Sequence, residues 1–577
     1  MTRLWNDPAD FADEMIDGFV AANERYVRRV TGGVVRSTVS PAGQVAVVVG
    51  GGSGHYPAFG GLVGQGLAHG AAMGNLFASP STQQVYAVAK AADNGGGVFF
   101  SYGNYAGDVL NFDAAQDRLI AEGIAAETVT VTDDVMSAEV SEKHRRRGIA
   151  GDLTVFRAAS AAAEAGYDLA GVARVARLAN DRTRSFGVAF TGCTLPGAGT
   201  PLFTVPAGRM AIGLGIHGEP GVDETGIPTA DELAELLVSK LLDTAELPDG
   251  VESVNGARVI PILNGLGSLK YEEMFVVYRR VAQLLAAAGL EIVDPHVGEF
   301  CTSFDMAGTS LTLYWLDDEL ETLWETPVDS PAYRRGSVVA AQQKAATDAA
   351  PDTVDVIPDA DDASRAVAST VLAAVEAIVS TVDENVEEFG RIDSIAGDGD
   401  HGIGMQRGSH AALTAARTAL DAGAGAETVL ARAADAWSDR AGGTSGALWG
   451  VILRAVAAKL GDAGIPTAGS VAAGVAAGCQ GVMDYGKAEV GDKTLVDALV
   501  PFSGELTRAV DAGASLSTAW ASAAESATAA ASATADMLPR MGRARTHGEH
   551  SLGTPDPGAH SLALIATAIG GVLAARA

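Results

Sequence analysis

The 577-residue sequence is long enough for about four domains of average size, or equally for two or three larger ones with large buried cores. Its formal net charge of −31 argues against nucleic acid and anionic membranes as partners, because both bind basic surfaces. The three cysteines lie far apart without C-x-x-C spacing, so neither a disulfide framework nor a zinc site is predicted. The first residues contain no apolar signal core, and no uncharged run has the character of a membrane span, so we expect a cytoplasmic protein.

Between about residues 10 and 330, apolar β-branched runs alternate with helical patterns. The clearest runs are 45–49, 97–100 and 128–132, and the turns after them are Gly50–Gly52, Tyr102–Asn104 and Asp133–Asp134. Uniformly apolar strands separated by helices predict a parallel sheet covered on both faces. Ligands of such folds bind at the carboxyl ends of the strands, where these turns lie.

The second part of the chain has a different pattern. Residues 336–364 contain Pro351 and Pro358 and show no sustained period, which predicts a linker. Beyond them, apolar residues from Val371 to Phe389 recur every three or four positions, as in an amphipathic helix. The alanine-rich run 512–537 is also predicted to be helical, because alanine is the best helix former. We therefore expect an all-α second half.

A cluster of carboxylates follows the first of these helices. Asp393, Asp398 and Asp400 lie within eight residues of one another in a glycine-containing turn. Three adjacent carboxylates repel one another, whereas one or two divalent ions turn that repulsion into coordination. Magnesium with a nucleotide is the first candidate; the alternative is a solvated acidic loop.

Two glycine motifs are not expected to have their usual meaning. Gly213–Gly218 satisfies G-x-G-x-x-G, but Glu219 and Pro220 follow, and no helical pattern begins until about Thr229. Gly486–Thr494 resembles a P-loop with one extra residue, and no strand precedes it. Neither motif is interpreted as a nucleotide site.

Other residues of the helical half do predict such a site. Gly442–Gly446 offers backbone amides and two hydroxyl groups, the donors that phosphate oxygens require at a helix start. Alone it would be interpreted as an ordinary glycine turn. Together with the carboxylate cluster, Gly542–Arg543 and Asp556–Gly558, it indicates a nucleotide site with metal ligands and a cation.

In the first half, three polar residues lie in strand-end turns. His55 follows the glycine-rich segment 50–54, His217 lies in the turn at 213–221, and Asp108 follows Asn104. Isolated histidines are more often structural than catalytic. Three such residues at the ends of apolar strands are better interpreted as polar groups that converge on a small ligand.

These motifs resemble the dihydroxyacetone kinase family over nearly the whole chain and in the same order. The resemblance is carried by residues 50–55, 77–80, 104–108, 213–221 and 302–308, and by the spacing of the three aspartates. It implies a multidomain protein with a ketose-binding K domain over 1–335, built of two α/β subdomains. A linker over 336–364 and an all-α L domain over 365–577, a helical barrel or bundle, would follow.

The resemblance also implies roles for individual residues. His217 would hold the substrate carbonyl as a hemiaminal, His55 would hydrogen-bond the sugar, and Asp108 would act as general base. The substrate would also contact Gly52, Ser53, Gly54 and Gly103. Two Mg²⁺ ions would be held by Asp393, Asp398 and Asp400. ATP, the co-substrate, would be lined by His401, Gly402, Ile403, Gly404, Thr444, Ser445, Gly486, Leu495, Arg543, Asp556, Pro557 and Gly558.

Departures from the family pattern bear on the substrate. The family commonly has a lysine before Asn-Tyr, where this chain has Gly103, and His-Glu-Pro-Ala where this chain has Tyr56 after the histidine. The missing lysine opens room for another hydroxymethyl group and changes the hydrogen-bond demands of the site. We therefore favour erythrulose, phosphorylated at a terminal hydroxyl as by a D-erythrulose 4-kinase, with dihydroxyacetone as the alternative.

Other functions stay open at this point. Family members that take phosphate from a phosphohistidine protein have separate K and L chains, so the fused chain favours ATP. A lyase that cyclises FAD would share the metals without needing His217. A ketose sensor without catalysis would have no need of the three aspartates. The expected partners are a ketose, ATP and, by resemblance, a second copy in a homodimer.

Overall fold

The computed structural model describes residues 4–198, 201–217, 219, 221–243, 247–344, 357–396, 399, 401–541, 548 and 551–576. The chain divides into two compact units, Met1–Ala350 and Pro351–Ala577. Each unit has hydrophobic core clusters of its own. In the described residues, the first unit contains helices and strands, and the second contains helices without strands.

The first sheet lies in the amino-terminal part of the first unit. Its strands are β1 (Val27–Val30), β2 (Gly33–Arg36), β3 (Ala46–Ser53), β4 (Gly70–Leu76), β5 (Val98–Gly103) and β6 (Ala126–Val131). Their order is β1-β2-β4-β3-β5-β6, and β3 is parallel to both β4 and β5, as β5 is to β6. The three predicted apolar runs thus form parallel strands, which confirms the prediction for β3, β5 and β6, whereas β2 is antiparallel to β1 and β4.

Helices cover this sheet. They are α1 (Phe11–Ala22), α2 (Thr82–Ala92), α3 (Ala106–Ala121), α4 (Asp152–Glu164) and α5 (Leu169–Asp181). Helix α4 is buried from Asp152 to Ala163, because its small and apolar residues pack in one cluster with residues of both sheets. A helix that is apolar on all sides is stable only in such an interior position.

The second sheet differs from the sequence-based prediction. Its strands are β7 (Thr183–Ala189), β8 (Arg209–Ile212), β9 (Asp223–Gly226), β10 (Arg258–Gly265), β11 (Glu291–Ile292), β12 (His296–Gly298) and β13 (Gly308–Trp315). Strand β13 is antiparallel to β7 and β10, and β8 is antiparallel to β7 and β9. The expectation of a parallel sheet throughout is wrong here, because an all-apolar strand reports burial of both faces and not strand direction.

The remaining elements of the first unit complete its outer layer. They are α6 (Ala230–Asp243), α7 (Tyr271–Ala287), α8 (Asp318–Trp324), β14 (Val328–Asp329) and β15 (Arg334–Arg335). Residues 336–344, predicted to be linker, lie against this unit: the Val39 N–H donates to the Gln342 carbonyl (2.7 Å) and the Lys344 N–H to that of Ser37 (2.8 Å). The exact domain boundaries stay a prediction.

The second unit is a ring of helices. They are α9 (Asp362–Ala396), α10 (His401–Asp421), α11 (Ala426–Ala441), α12 (Gly443–Leu460), α13 (Ala468–Gly486), α14 (Val496–Asp511), α15 (Leu516–Ala533) and α16 (Pro557–Ala575). Each helix packs on the next one, and α16 packs back on α9. The prediction of an α/β domain followed by an all-α domain is confirmed in the described residues.

Two described helices, α9 and α16, are long and apolar enough to cross a membrane by length and composition. The sequence had predicted no such run. Both bury apolar residues in the core of the second unit, among them Val375, Val382, Leu562 and Ile565. Packing within the ring therefore accounts for part of their apolar character.

Candidate active site

The His55 loop follows the central strand of the first sheet. Strand β3 ends at Ser53, and the His55 side chain is buried with its ring stacked on Phe77 at a centroid distance of 4.9 Å. Its Nδ1 lies 2.7 Å from the Thr302 carbonyl oxygen. Since a carbonyl can only accept, Nδ1 carries a proton and donates it to this bond. The ring is thus fixed with Nε2 facing away from Thr302.

His217, from the turn after β8, faces this nitrogen. The two Nε2 atoms, of His55 and His217, are 2.9 Å apart, and both rings are buried. The Tyr105 ring lies against the other side of His217, with centroids 4.4 Å apart. The structure therefore brings together the two histidines that the sequence predicted to converge.

A third segment connects the two histidine loops. The Ser303 hydroxyl donates to the Ile216 carbonyl (2.6 Å), and the Phe304 N–H donates to the Gly54 carbonyl (2.8 Å). The segment belongs to the 302–308 motif, so that motif holds both histidine loops by hydrogen bonds to their backbone carbonyls. Its function here is to hold loops from two sheets in contact.

Asp108 lies in the first turn of α3, directly after β5, and its side chain is buried. Two neighbours fix this turn to the segment 144–148: the Asn104 side chain donates to the Arg146 carbonyl (2.8 Å), and the Tyr105 hydroxyl to the Gly148 carbonyl (2.9 Å). Burial, and then the charges of Asp133 and Asp108, raise the pKa of the nearby Asp152 well above its usual range. Asp108 thus lies at the same sheet end, close to a second carboxyl group.

The predicted substrate contacts also have structural explanations. A side chain at Gly52 would overlap the Ala78 backbone, Gly54 has a left-handed φ of 103°, and the Ser53 hydroxyl donates to the Gly74 carbonyl (2.6 Å). A Cβ at Gly103 would approach the Tyr105 ring at 3.1 Å. Of the three glycines, Gly103 is therefore the one where a side chain needs the least adjustment.

The sequence interpretation missed a charged group behind His217. Glu219 is buried, and its Oε1 lies 3.4 Å from His217 Nδ1. Arg147 contacts it at 3.7 Å and donates through Nη2 to Asp134 (2.8 Å). Glu219 directly follows the G-x-G-x-x-G match at Gly213–Gly218, and Asp134 lies in a strand-end turn, so only their positions in the sequence pointed to them.

In the second unit, the predicted residues Asp393, His401 and Ser445 meet, together with Ser561, which was not predicted, so that four helices contribute. The His401 N–H donates to Asp393 Oδ2 (3.0 Å), and its Nε2 lies 2.9 Å from the Ser561 hydroxyl. Ser445 Oγ is 3.5 Å from His401 Nδ1. Helix α10 thus begins beside the end of α9 and the first turns of α12 and α16.

Acidic groups are crowded at this end of the ring. Burial, together with the charges of Asp393 and Asp497, raises the pKa of Asp556 to about 7, although the hydrogen bond from the Ala559 N–H opposes this rise. Such buried carboxyl groups fit a site for a divalent cation, which relieves their repulsion. Asp398, Asp400 and Arg543 lie outside the described residues. Within those residues, no three metal-ligating side chains form a cluster.

The other predicted nucleotide contacts surround this end. A side chain at Gly402 would overlap the Val386 carbonyl. At the start of α12, Gly442 and Gly443 have left-handed φ values of 65° and 59°. Leu495 lies against Gly558. Asp556 caps α16, where Pro557 is the first residue.

The remaining predicted nucleotide contacts differ in exposure and position. Ile403 and Thr444 are exposed, Gly404 faces the Ala441 carbonyl, and Gly486 lies beside Leu448. The sequence interpretation also missed Lys493, whose Nζ donates to the Ser551 carbonyl (2.7 Å). Lys493 lies in the segment Gly486–Thr494, which resembles a P-loop but is not interpreted as one.

Comparison with known proteins agrees with this arrangement. Residues 17–332 match the Dak1 domain, and residues 395–571 match the DAK2 domain. The L-erythrulose kinase of Pectobacterium atrosepticum is 60% identical over 99% of this chain and 97% of that protein. The D-erythrulose kinase of Mycolicibacterium smegmatis is 53% identical over 99% of this chain and 98% of that protein.

A solved structure is similar over the same length. The dihydroxyacetone kinase from C. freundii, in complex with AMP-PNP and Mg²⁺, has a TM-score of 0.52 and 28% identity and covers 99% of each chain. The chain belongs to the dihydroxyacetone kinase family. The resemblance inferred from its motifs is thereby confirmed.

Proposed function

We propose that this protein is an ATP-dependent kinase that phosphorylates a terminal hydroxyl of erythrulose. The observation that carries the proposal is the buried pair of His55 and His217, with 2.9 Å between the two Nε2 atoms, at the strand ends where Asp108 lies. The two erythrulose kinases, at 60% and 53% identity over nearly the full length, support the substrate class.

In this proposal the first unit binds the ketose. His217 holds the carbonyl carbon as a hemiaminal, and His55 hydrogen-bonds the sugar. Asp108 accepts the proton of the attacking hydroxyl, a role that needs an ionised carboxylate within hydrogen-bond reach. The buried position of these groups keeps water away from the reacting hydroxyl.

The second unit would bind Mg²⁺ and ATP. The similarity to the C. freundii enzyme, solved with AMP-PNP and Mg²⁺, supports this assignment. Asp393, Asp398 and Asp400 would hold two ions, which neutralise phosphate charge when bound. The first turns of α10, α12 and α16 would contact the phosphates with backbone amides, together with Arg543.

We also propose the order of domains along the whole chain. The K domain spans 1–335, the linker 336–364 and the L domain 365–577, and the two matched domains lie within these limits. We also propose a cytoplasmic homodimer, on the family resemblance. Size-exclusion chromatography with light scattering would test the dimer.

Gly103 is the residue on which the preference for erythrulose rests. A lysine here would add a cation and fill space beside Tyr105. Initial rates with dihydroxyacetone, D-erythrulose and L-erythrulose, measured side by side with Mg–ATP, are expected to show the highest kcat/KM for an erythrulose enantiomer. A clear preference for dihydroxyacetone would instead support the alternative function, dihydroxyacetone kinase.

Gly103→Lys tests the cause of this preference. We expect it to shift kcat/KM toward dihydroxyacetone by about 10-fold to 100-fold, the discrimination that one small group provides. Gly103→Ala is the matched control, because it adds only the Cβ near Tyr105 and should retain the preference. An unchanged ratio in Gly103→Lys would show that another residue selects the substrate.

A further inference from the structure

A buried carboxylate, that of Glu219, lies against His217 in the segment that follows β8. Glu219 Oε2 accepts the backbone N–H of His217 (3.0 Å), and Oε1 lies 3.4 Å from Nδ1 of the same residue. One carboxylate therefore contacts both the backbone and the ring of His217. The backbone hydrogen bond fixes the carboxylate beside His217, and Oε1 then faces the Nδ1 edge of the ring.

We propose that Glu219 is a positioning residue that keeps a proton on His217 Nδ1, so that Nε2 is the bare nucleophile. This inference rests on the proposed hemiaminal at His217 and deepens it. An anion beside Nδ1 favours the tautomer that presents an N–H to it, as in carboxylate–histidine pairs elsewhere.

The network behind Glu219 keeps it anionic. Arg147 Nη1 lies 3.7 Å from Glu219 Oε2, and Asp134 accepts from Arg147 Nε (3.1 Å) and Nη2 (2.8 Å). Burial alone raises the pKa of the Glu219 carboxyl, but the hydrogen bond from His217 and the charge of Arg147 outweigh burial and hold that pKa well below its usual range. Glu219 is therefore ionised at neutral pH.

His55 completes the proton assignment. Its Nδ1 donates to the Thr302 carbonyl, so its Nε2 points at His217 Nε2 across 2.9 Å. Two bare nitrogens at this distance repel, so one proton lies between them. The histidine pair then carries one positive charge, which the Glu219 carboxylate balances.

This arrangement fits the addition of a ketone. The Nε2 lone pair of His217 forms a bond to the carbonyl carbon, while the π electrons of the C=O bond move to oxygen. His55 gives the shared proton to that oxygen and becomes neutral. His217 becomes an Nε2-substituted imidazolium that keeps its Nδ1–H. The positive charge thus moves onto the ring that faces Glu219, which stabilises the adduct over the free ketone.

Position 215 requires glycine because of the Glu219 carboxylate. A Cβ at this position would overlap Glu219 Oε2 and would also reach Arg147 Nη1. Gly215→Ala is therefore expected to displace the carboxylate without changing any charged residue. It provides a second variant that tests the position of Glu219 and not its presence.

The proton assignment is tested on the full chain without ketose. In protein labelled with ¹⁵N-histidine, His217 signals are identified by their loss in His217→Asn. The wild type is expected to show a protonated Nδ1. In Glu219→Gln the amide can donate to Nδ1, so the proton is expected to move to Nε2. A wild-type Nδ1 without a proton, or an unchanged proton position in Glu219→Gln, overturns the inference.

The consequence for binding is tested with ketose labelled with ¹³C at the carbonyl. In Glu219→Gln, KM is expected to rise about 100-fold, the effect of removing one partner of a buried charged pair, with a smaller change in kcat. Glu219→Asp should restore part of the affinity. The matched control is Asp134→Asn, which alters the network without touching His217 and should keep the Nδ1 proton.

The two proposals fail in different ways. Wild-type KM in Glu219→Gln overturns the positioning role. A protonated Nδ1 that depends on Glu219, with no ¹³C adduct signal in the wild type, supports that role and overturns the hemiaminal at His217. Circular dichroism of each variant distinguishes these results from loss of the fold.

Discussion

At the scale of single residues, the candidate site depends on groups held in place by their neighbours. His55 is fixed by a carbonyl oxygen, His217 by a carboxylate and a ring, and Asp108 by its position in the first turn of α3. Each residue is buried, so each interaction is made in surroundings of low dielectric constant. Small chemical changes at these residues should therefore have large effects on activity.

Asp108→Asn tests the general base. It keeps the shape of the side chain and removes its basicity, so we expect kcat to fall about 100-fold to 10,000-fold. The ketose adduct should still form, because His217 is unchanged, and ¹³C NMR of carbonyl-labelled ketose would detect it. Asp117→Asn, at an exposed position on the same helix, is the control and should retain wild-type kcat. Wild-type kcat in Asp108→Asn would assign the base to another group.

At the scale of elements, the second unit depends on close helix packing at the end where the proposed nucleotide contacts lie. Gly402 lets α10 approach α9, and Gly408 lets it approach Trp437 on α11. Small residues allow this approach, because backbone atoms of one helix contact those of the next. The same residues that close the ring thus bring Asp393, His401 and Ser561 together.

Gly402→Ala tests this packing. Its methyl group would overlap the Val386 carbonyl, so we expect a loss of about 1–3 kcal/mol in the free energy of unfolding of the second unit. The matched control is Gly504→Ala in α14, where a Cβ meets no atom within 4 Å. That change should stabilise the helix by about 0.5–1 kcal/mol. Scanning calorimetry measures both, and equal stability of the two variants would contradict the packing argument.

At the scale of the whole molecule, the two units have separate cores. The clusters of the first unit contain residues up to Tyr333, and the cluster of the second begins at Ala368. Each core is large enough for independent folding, since domains of this size are usually stable alone. In the proposed function the first unit binds the ketose and the second binds Mg–ATP. Each ligand should therefore stabilise only the unit that binds it when the full chain unfolds.

Ligand-dependent calorimetry tests this division. Erythrulose is expected to shift only the transition of the first unit, and Mg–ATP only that of the second. A ligand at 100 times its Kd should add about 2.7 kcal/mol to the stability of the unit that binds it. Replacing Mg²⁺ with excess EDTA should abolish the second shift and leave the first unchanged. A single transition shifted by both ligands would contradict independent units.

The sequence alone determined the order of the domains, the helical second half and the identity of most candidate residues. Local patterns carry this information, because periodicity reports burial and glycine or aspartate turns mark strand and helix ends. The tertiary structure decided what depends on distance between segments far apart in sequence. The antiparallel second sheet is one case, since an apolar strand is compatible with either direction. The contacts of Glu219 with His217 and Arg147 are another, because Glu219 directly follows a glycine motif in the sequence but only folding brings these groups together.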